Sequence, residues 1–174
     1  MSIIATDLDG TIYLQSEIIP GVKDSILQAK KNNFKFIFIT NNSSQTPYQI
    51  KNKLELMLSD KINISDIVSP FVILKNYLKD QDYKIYVHGS TNLKKYVTTL
   101  SNELCSIDKS EIILIGRTES FTKFDVESIA DAFYRGVNVI AMNKDPSFPI
   151  NDFEFEVGNG AIVREIENII GSNI

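Results

Sequence analysis

Hydrophobic and polar positions along the chain switch between two periods. Ile3-Ile4-Ala5-Thr6 is a short apolar run that gives way to Asp7-Leu8-Asp9-Gly10-Thr11. A run of this kind, closed by glycine, predicts a buried strand ending in a turn. After Pro20-Gly21, Val22, Ile26 and Ala29 keep helical spacing as far as Asn32. Phe34-Lys35-Phe36-Ile37-Phe38-Ile39 is strongly β-prone and predicts the second strand. It ends in Thr40-Asn41-Asn42-Ser43-Ser44, a cluster of small hydrogen-bonding residues. Thr46-Pro47 is a helix start, with Thr46 as cap and proline at the first helical position. Ile50, Leu54, Met57 and Leu58 form that helix's apolar face. Residues 62–70 read as irregular, and 71–79 as a helix.

A second series follows. Strands are expected over 84–88, 111–116 and 137–142, with helices over 91–100 and from Asp125 to Gly136. Asp125 is placed as the cap of the latter helix. Residues 143–149 read as a loop, and Gly158-Asn159-Gly160 opens a last helix carrying Ile162, Val163, Ile166, Ile169 and Ile170. The β-α-β-α order implies an α/β fold with parallel strands and right-handed crossovers. A break near residues 66–82 separates a small first unit from a larger one. The polar clusters after strands one and two then share one sheet edge, where doubly wound sheets place their sites.

Composition narrows the class. A chain of 174 residues with 43% hydrophobic and 23% charged residues is globular in type. Its net charge of −4 argues against a nucleic-acid surface. No apolar run approaches the roughly 20 residues of a membrane span. A single cysteine, Cys105, rules out an internal disulfide and fits a cytoplasmic setting.

The acidic turn admits two readings. Asp-Gly turns need no function, because these residues favour turns for backbone reasons. The other is phosphoryl transfer. A calcium loop of the EF-hand type is excluded, because Ile12 stands at the sixth loop position where glycine is required. An ionised aspartate can attack a phosphate without a partner base, provided a cation such as Mg²⁺ offsets the charge repulsion. Asp7 is then the nucleophile, and Asp9 the acid and base. Gly10 lets backbone amides approach the phosphate, and Thr40 and Asn41 donate to it. Taken alone, Thr40-Asn41 is also an ordinary turn.

Asp7-Leu8-Asp9-Gly10-Thr11-Ile12-Tyr13 resembles the first motif of the haloacid dehalogenase superfamily, and Ile39-Thr40-Asn41-Asn42-Ser43-Ser44 its second. Gly116-Arg117-Thr118, Ala141-Met142-Asn143-Lys144-Asp145 and Gly158-Asn159-Gly160-Ala161 are similar to cap segments of its NagD-like branch of sugar-phosphate and p-nitrophenyl phosphatases. The resemblance implies a partial Rossmann-like core over 1–70, an α/β cap of the C2 type over 71–160, and a helix over 161–174 leading back toward the core. It implies Asp7 and Asp9 as catalytic and Mg²⁺-binding residues, with the Asp9 contribution through its carbonyl. Leu8, Gly10, Thr40 and Asn41 are implied around the phosphate, and Asn143 and Asp145 in a cap loop facing substrate. The partner implied is a small phosphorylated metabolite, hydrolysed through an aspartyl-phosphate. Phosphotransfer to an acceptor other than water uses the same intermediate.

The family's lysine motif and its Gly-Asp-x-x-x-x-Asp segment have no match in this sequence. Lys51 and Lys53 lie on a helix with no supporting motif. The expectation is therefore a chain that alone is a poor or inactive phosphatase. The alternative is a non-catalytic fragment that binds ligand or oligomerises, with a second copy or a separate C-terminal chain as partner. His88, the one histidine, Cys105 and the phenylalanines of the second strand read as structural. Tyr13 reads as either site lining or packing.

Overall fold

The structure, a computed structural model, describes residues 2–100, 102–118, 120–149 and 154–174. It divides into two compact units, Met1–Ile73 and Leu74–Ile174.

In the first unit, β1 (Ser2–Asp7) leads into a hairpin of β2 (Tyr13–Leu14) and β3 (Glu17–Ile18), then α1 (Val22–Lys31), β4 (Phe34–Ile39) and α2 (Pro47–Leu58). Strand β1 lies parallel to β4, with Ser2 opposite Phe34 and Asp7 opposite Ile39. A 3-10 turn at Ile64–Asp66 delivers β5 (Ile67–Val68), which pairs parallel to β4 on its other side. The sheet order is therefore β1-β4-β5. Strand β5 falls where the sequence reads as irregular, because two residues carry no period to detect.

Alternation along β4 explains the core. Phe36 and Phe38 share one face, are buried, and stack with centroids 6.0 Å apart. They join Leu8, Ile12, Tyr13, Ile26, Ile50, Leu54, Leu58 and Ile67 in one cluster. Helix α2 starts as its sequence demands. Thr46 accepts from the Gln49 amide and Gln49 reaches back to Thr46, a full capping box with Pro47 behind it.

The expectation of a buried β1 is corrected. Its residues run exposed, exposed, half-buried, exposed, half-buried, exposed, and Ile3 is 64% exposed. Among the described residues β1 pairs with β4 alone, and only Ile4 packs against the core cluster.

The boundary between units falls within α3 (Pro70–Tyr77). Beyond it come β6 (Lys84–His88), α4 (Thr91–Thr99), β7 (Glu103–Leu104), β8 (Ile112–Ile115), α5 (Lys123–Tyr134) and β9 (Asn138–Ala141). A hairpin of β10 (Ser147–Pro149) and β11 (Phe155–Val157) precedes α6 (Asn159–Ile170). The four-stranded sheet has the order β7-β6-β8-β9 with every pair parallel. Central β8 is buried at all four positions, as a strand covered on both faces must be. Ile113 and Ile115 face a cluster formed with α5 and α6 through Val126, Ile129, Val163 and Ile166.

Two further expectations are refined. The cap of α5 is Thr122, with Asp125 as the third helical residue completing a capping box. Thr122 is the residue with extended backbone angles, and Asp125 already has the helix around it. The stretch read as one loop after β9 contains the β10 strand.

Gly158-Asn159-Gly160 has a packing cause. A Cβ on Gly160 would strike the Lys144 carbonyl, and one on Gly158 the Asp145 carbonyl. Between them Asn159, 3% exposed, donates from Nδ2 to the Ile115 carbonyl at 3.1 Å and the Asn143 carbonyl at 2.9 Å. One side chain thus ties the ends of β8 and β9 to the start of α6.

Candidate active site

The parallel pairing of β1 and β4 decides what meets at the sheet edge. Asp7 lies opposite Ile39, so the chain after Asp7 and the chain after Ile39 leave the sheet together. Thr40 stays tethered to the sheet, because its amide donates to the Val68 carbonyl of β5 at 2.9 Å. Its hydroxyl donates to Asp9 Oδ2 at 3.3 Å and accepts from the Asn42 amide at 3.0 Å. Two loops distant in sequence are joined by this contact.

The acidic turn is wound around Leu8. Its side chain is fully buried, and its carbonyl accepts from the amides of Thr11, Ile12 and Tyr13 at 3.2, 2.9 and 3.3 Å. Gly10 takes φ +81°, a left-handed angle that favours glycine, and donates its amide to the Tyr13 carbonyl at 2.8 Å. Asp7 and Asp9 are held at the open edge as exposed residues.

Two features here, the contacts of Asn42 and of Lys53, escape a reading of the sequence, and a third, Tyr13, joins the two readings open to it, packing and site lining. Asn42 orders the second loop, its Oδ1 accepting from the Ser44 amide, the Ser44 hydroxyl and the Gln45 amide at 2.9, 2.7 and 3.2 Å. Tyr13 is 0% exposed and is a core residue whose ring reaches the site. Lys53, set aside in the sequence, places its ammonium 3.4 Å from the centroid of that ring. A signal for Lys53 existed: it lies three residues after Ile50 and four before Met57, on the border of the apolar stripe of α2.

The electrostatics follow. Crowding by neighbouring atoms pushes the Asp9 carboxyl above the ordinary aspartate value, with Asp7 adding to the rise. Lys53 and the hydrogen bonds from Thr40 and Asn42 act against it. Asp9 is also exposed at the open edge, where solvent screens these influences. Burial lowers Lys53, with Asp9 opposing. Burial also raises the Tyr13 phenol, reinforced by Asp9 and Asp7.

The turn offers carboxylate and carbonyl oxygens. Such a donor set suits Mg²⁺, which binds one or two carboxylates together with phosphate oxygens rather than a complete protein cage. Among the described residues no group of three or more His, Cys, Asp or Glu gathers to hold a metal.

Asn41 is exposed beside Thr40. Asn143 and Asp145 belong to the second unit, on the loop after β9, and are fixed through their carbonyls by Asn159 and the Gly160 amide. His88 ends β6 with its Nδ1 3.8 Å from Asp125 and its ring edge-on to Phe121 at 4.9 Å. No described helix is long and apolar enough to cross a membrane.

An acidic turn after a first parallel strand, hydrogen-bonded to a threonine that ends the next strand, defines a class. The model of the haloacid dehalogenase-like hydrolases matches residues 4–101, and the chain belongs to that family. Similar chains come from its NagD-like and p-nitrophenyl phosphatase branch. An acid sugar phosphatase of Staphylococcus haemolyticus is 29% identical over 162 residues, 92% of this chain and 61% of that protein. The p-nitrophenyl phosphatase from Archaeoglobus fulgidus superposes with a TM-score of 0.86 at 21% identity, covering 99% of this chain and 66% of that one. NagD from E. coli K-12 superposes at 0.78 with 20% identity, covering 99% and 66%. The chain spans about six tenths of the length of the curated relatives it matches.

Proposed function

We propose that this chain carries the nucleophile loop of a Mg²⁺-dependent phosphatase acting on small phosphomonoesters. The relatives named acid sugar phosphatase and p-nitrophenyl phosphatase support that substrate class. The observation that carries the reading is the Thr40 hydroxyl on Asp9 Oδ2, which brings both motif loops to one edge of the sheet.

Asp7 attacks phosphorus while the bond to the leaving oxygen breaks, giving an aspartyl-phosphate. Asp9 gives its proton to the leaving oxygen. It then takes a proton from the water that cleaves the acyl phosphate, releasing inorganic phosphate and restoring Asp7. The raised affinity of Asp9 for its proton suits the first of these tasks. The Leu8–Gly10 turn opens space for the phosphate, and Thr40 and Asn41 turn donors toward its oxygens. Bound by Asp7 and the Asp9 carbonyl, Mg²⁺ would offset the charge shared by carboxylate and phosphate. Asn143 and Asp145 select the leaving group from the cap.

The partner is a small phosphorylated metabolite, and the acidic net charge of −4 supports the absence of nucleic acid. The half-exposed thiol Cys105 supports a cytoplasmic location. The second edge of β1 supports a polypeptide partner as well, a second copy or a separate chain.

The test is release of p-nitrophenol from p-nitrophenyl phosphate in Mg²⁺, with Asp7→Asn as control. Turnover that vanishes in Asp7→Asn is expected. Binding of inorganic phosphate with no turnover points instead to a ligand-binding module, and turnover unaffected by Asp7→Asn overturns the proposal.

A further inference from the structure

Lys53 is a half-buried residue whose ammonium lies over an aromatic face. A cation seated 3.4 Å from a ring centroid and partly stripped of water gains from the ring's negative face. That ring belongs to Tyr13, which is fully buried and closes the acidic turn. The Tyr13 carbonyl accepts from the Gly10 amide, and its own amide donates to the Leu8 carbonyl. Whatever fixes Tyr13 therefore fixes Asp9, which lies between these anchors. The phenol oxygen of Tyr13 has no hydrogen-bond partner among the described residues, so no polar contact there holds the ring. Lys53 comes from α2, whose start is fixed by the Thr46 capping box and whose buried face is Ile50, Leu54 and Leu58.

We propose that Lys53 is the positioning residue of the acidic turn, holding Tyr13 by a cation–π contact and thereby setting the orientation of Asp9. The opposed influences of Lys53 and Asp9 on each other's proton affinity are consistent with a counter-charge at that place. Lys51, two residues earlier, has a different role: it pairs with Glu55 at 2.7 Å along the helix surface. The inference rests on the reading of Asp7 and Asp9 as the reacting pair only for its effect on turnover. The clamp itself is testable without turnover.

The first arm is amide hydrogen exchange of the full chain at Gly10 and Ile12. Lys53→Met and Tyr13→Leu should each speed exchange there by about tenfold, the size of one such contact. The double variant should exchange no faster than either single one. Lys53→Arg and Tyr13→Phe keep a cation and a ring and should keep the protection. Unchanged protection in Lys53→Met overturns the proposal. Lys53→Arg behaving like Lys53→Met does too, since a cation over the ring would then not be what protects the turn. If Tyr13→Leu fails to fold, Lys53→Met against Lys53→Arg decides.

The second arm is p-nitrophenyl phosphate turnover. Lys53→Met should lower kcat about tenfold with KM nearly constant, Lys53→Arg should restore it, and Lys51→Met should match the parent. A loss confined to KM contradicts positioning. A parent chain with no turnover refutes the proposed function, and the exchange arm then decides the clamp alone.

Discussion

Strands β1 and β8 are both apolar, both parallel-paired, and both end at a functional-looking edge, yet they sit in opposite environments. β8 has strands on both sides and is buried at every position. β1 has one strand beside it among the described residues and exposes most of its length. The sequence differs less than the environment: Ile-Ile-Leu-Ile in one, Ile-Ile-Ala-Thr-Asp in the other. The contrast teaches that an apolar run reports what a strand can bury, while its place in the sheet decides what it does bury. The acids stand at the end of the open strand, Asp7 on it and Asp9 in the turn beyond, where solvent lowers the cost of keeping two charges together.

The largest effect should separate chemistry from folding. Asp7→Asn should cut phosphatase turnover by about a thousandfold or more, the scale of losing a nucleophile, while its urea midpoint stays near the parent's. A large fall in stability would mean that the open edge depends on Asp7 for its structure.

The next contrast compares the two strands themselves. Ile113→Ala on β8 should cost about 2–5 kcal/mol, because the side chain is fully buried in the cluster with α5 and α6. Ile3→Ala on β1 should change stability by less than about 0.5 kcal/mol. Urea unfolding of both variants checks this, and equal losses would break the comparison. Gly160→Ala falls between them. Its new methyl meets backbone at Lys144, so a cost of about 1–3 kcal/mol is expected in the same assay. Thr46→Ala and Thr122→Ala each remove a capping box, one in each unit, and should each cost about 1 kcal/mol.

Most of this architecture was legible from residue patterns. β4 and α2 declare themselves through the phenylalanine run and Thr46-Pro47, and the last helix through its isoleucines at helical spacing. The missed strands, β5, β7 and the two hairpins, are two or three residues long and have no period to read. Asp125 reads as a cap because Asp favours caps, but Thr122 three residues earlier completes the box with it. Asp7, Asp9 and Thr40 were legible as motif residues, though only the β1–β4 register shows that two of them touch. Lys53 carries only a weak signal, its place on the border of the apolar stripe of α2, because its contact is with a ring forty residues earlier. The exposure of β1 follows from its neighbours and not from its own run: β4 is its one partner among the described residues, so its other edge stays open.

The smallest effect concerns pH. Burial holds the His88 imidazole below its ordinary value of 6.5, with Lys94 adding to the fall and Asp125 and the Ser120 backbone opposing it. Below 6.5 the unfolded chain therefore binds a proton that the folded chain resists. Stability should fall as pH drops from 6.5 through the folded value. His88→Gln should flatten that part of a thermal-melt pH profile. An unchanged slope would place its origin elsewhere.

The central claim is that Asp7, at the open end of β1, takes the phosphoryl group. It is tested most directly by trapping the covalent species: the chain is mixed with p-nitrophenyl phosphate and Mg²⁺, quenched in acid, reduced with borohydride and digested. Conversion of Asp7 to homoserine in the N-terminal peptide is the expected result. Steady release of p-nitrophenol with Asp7 unconverted, or with the mark on another residue, would contradict the account.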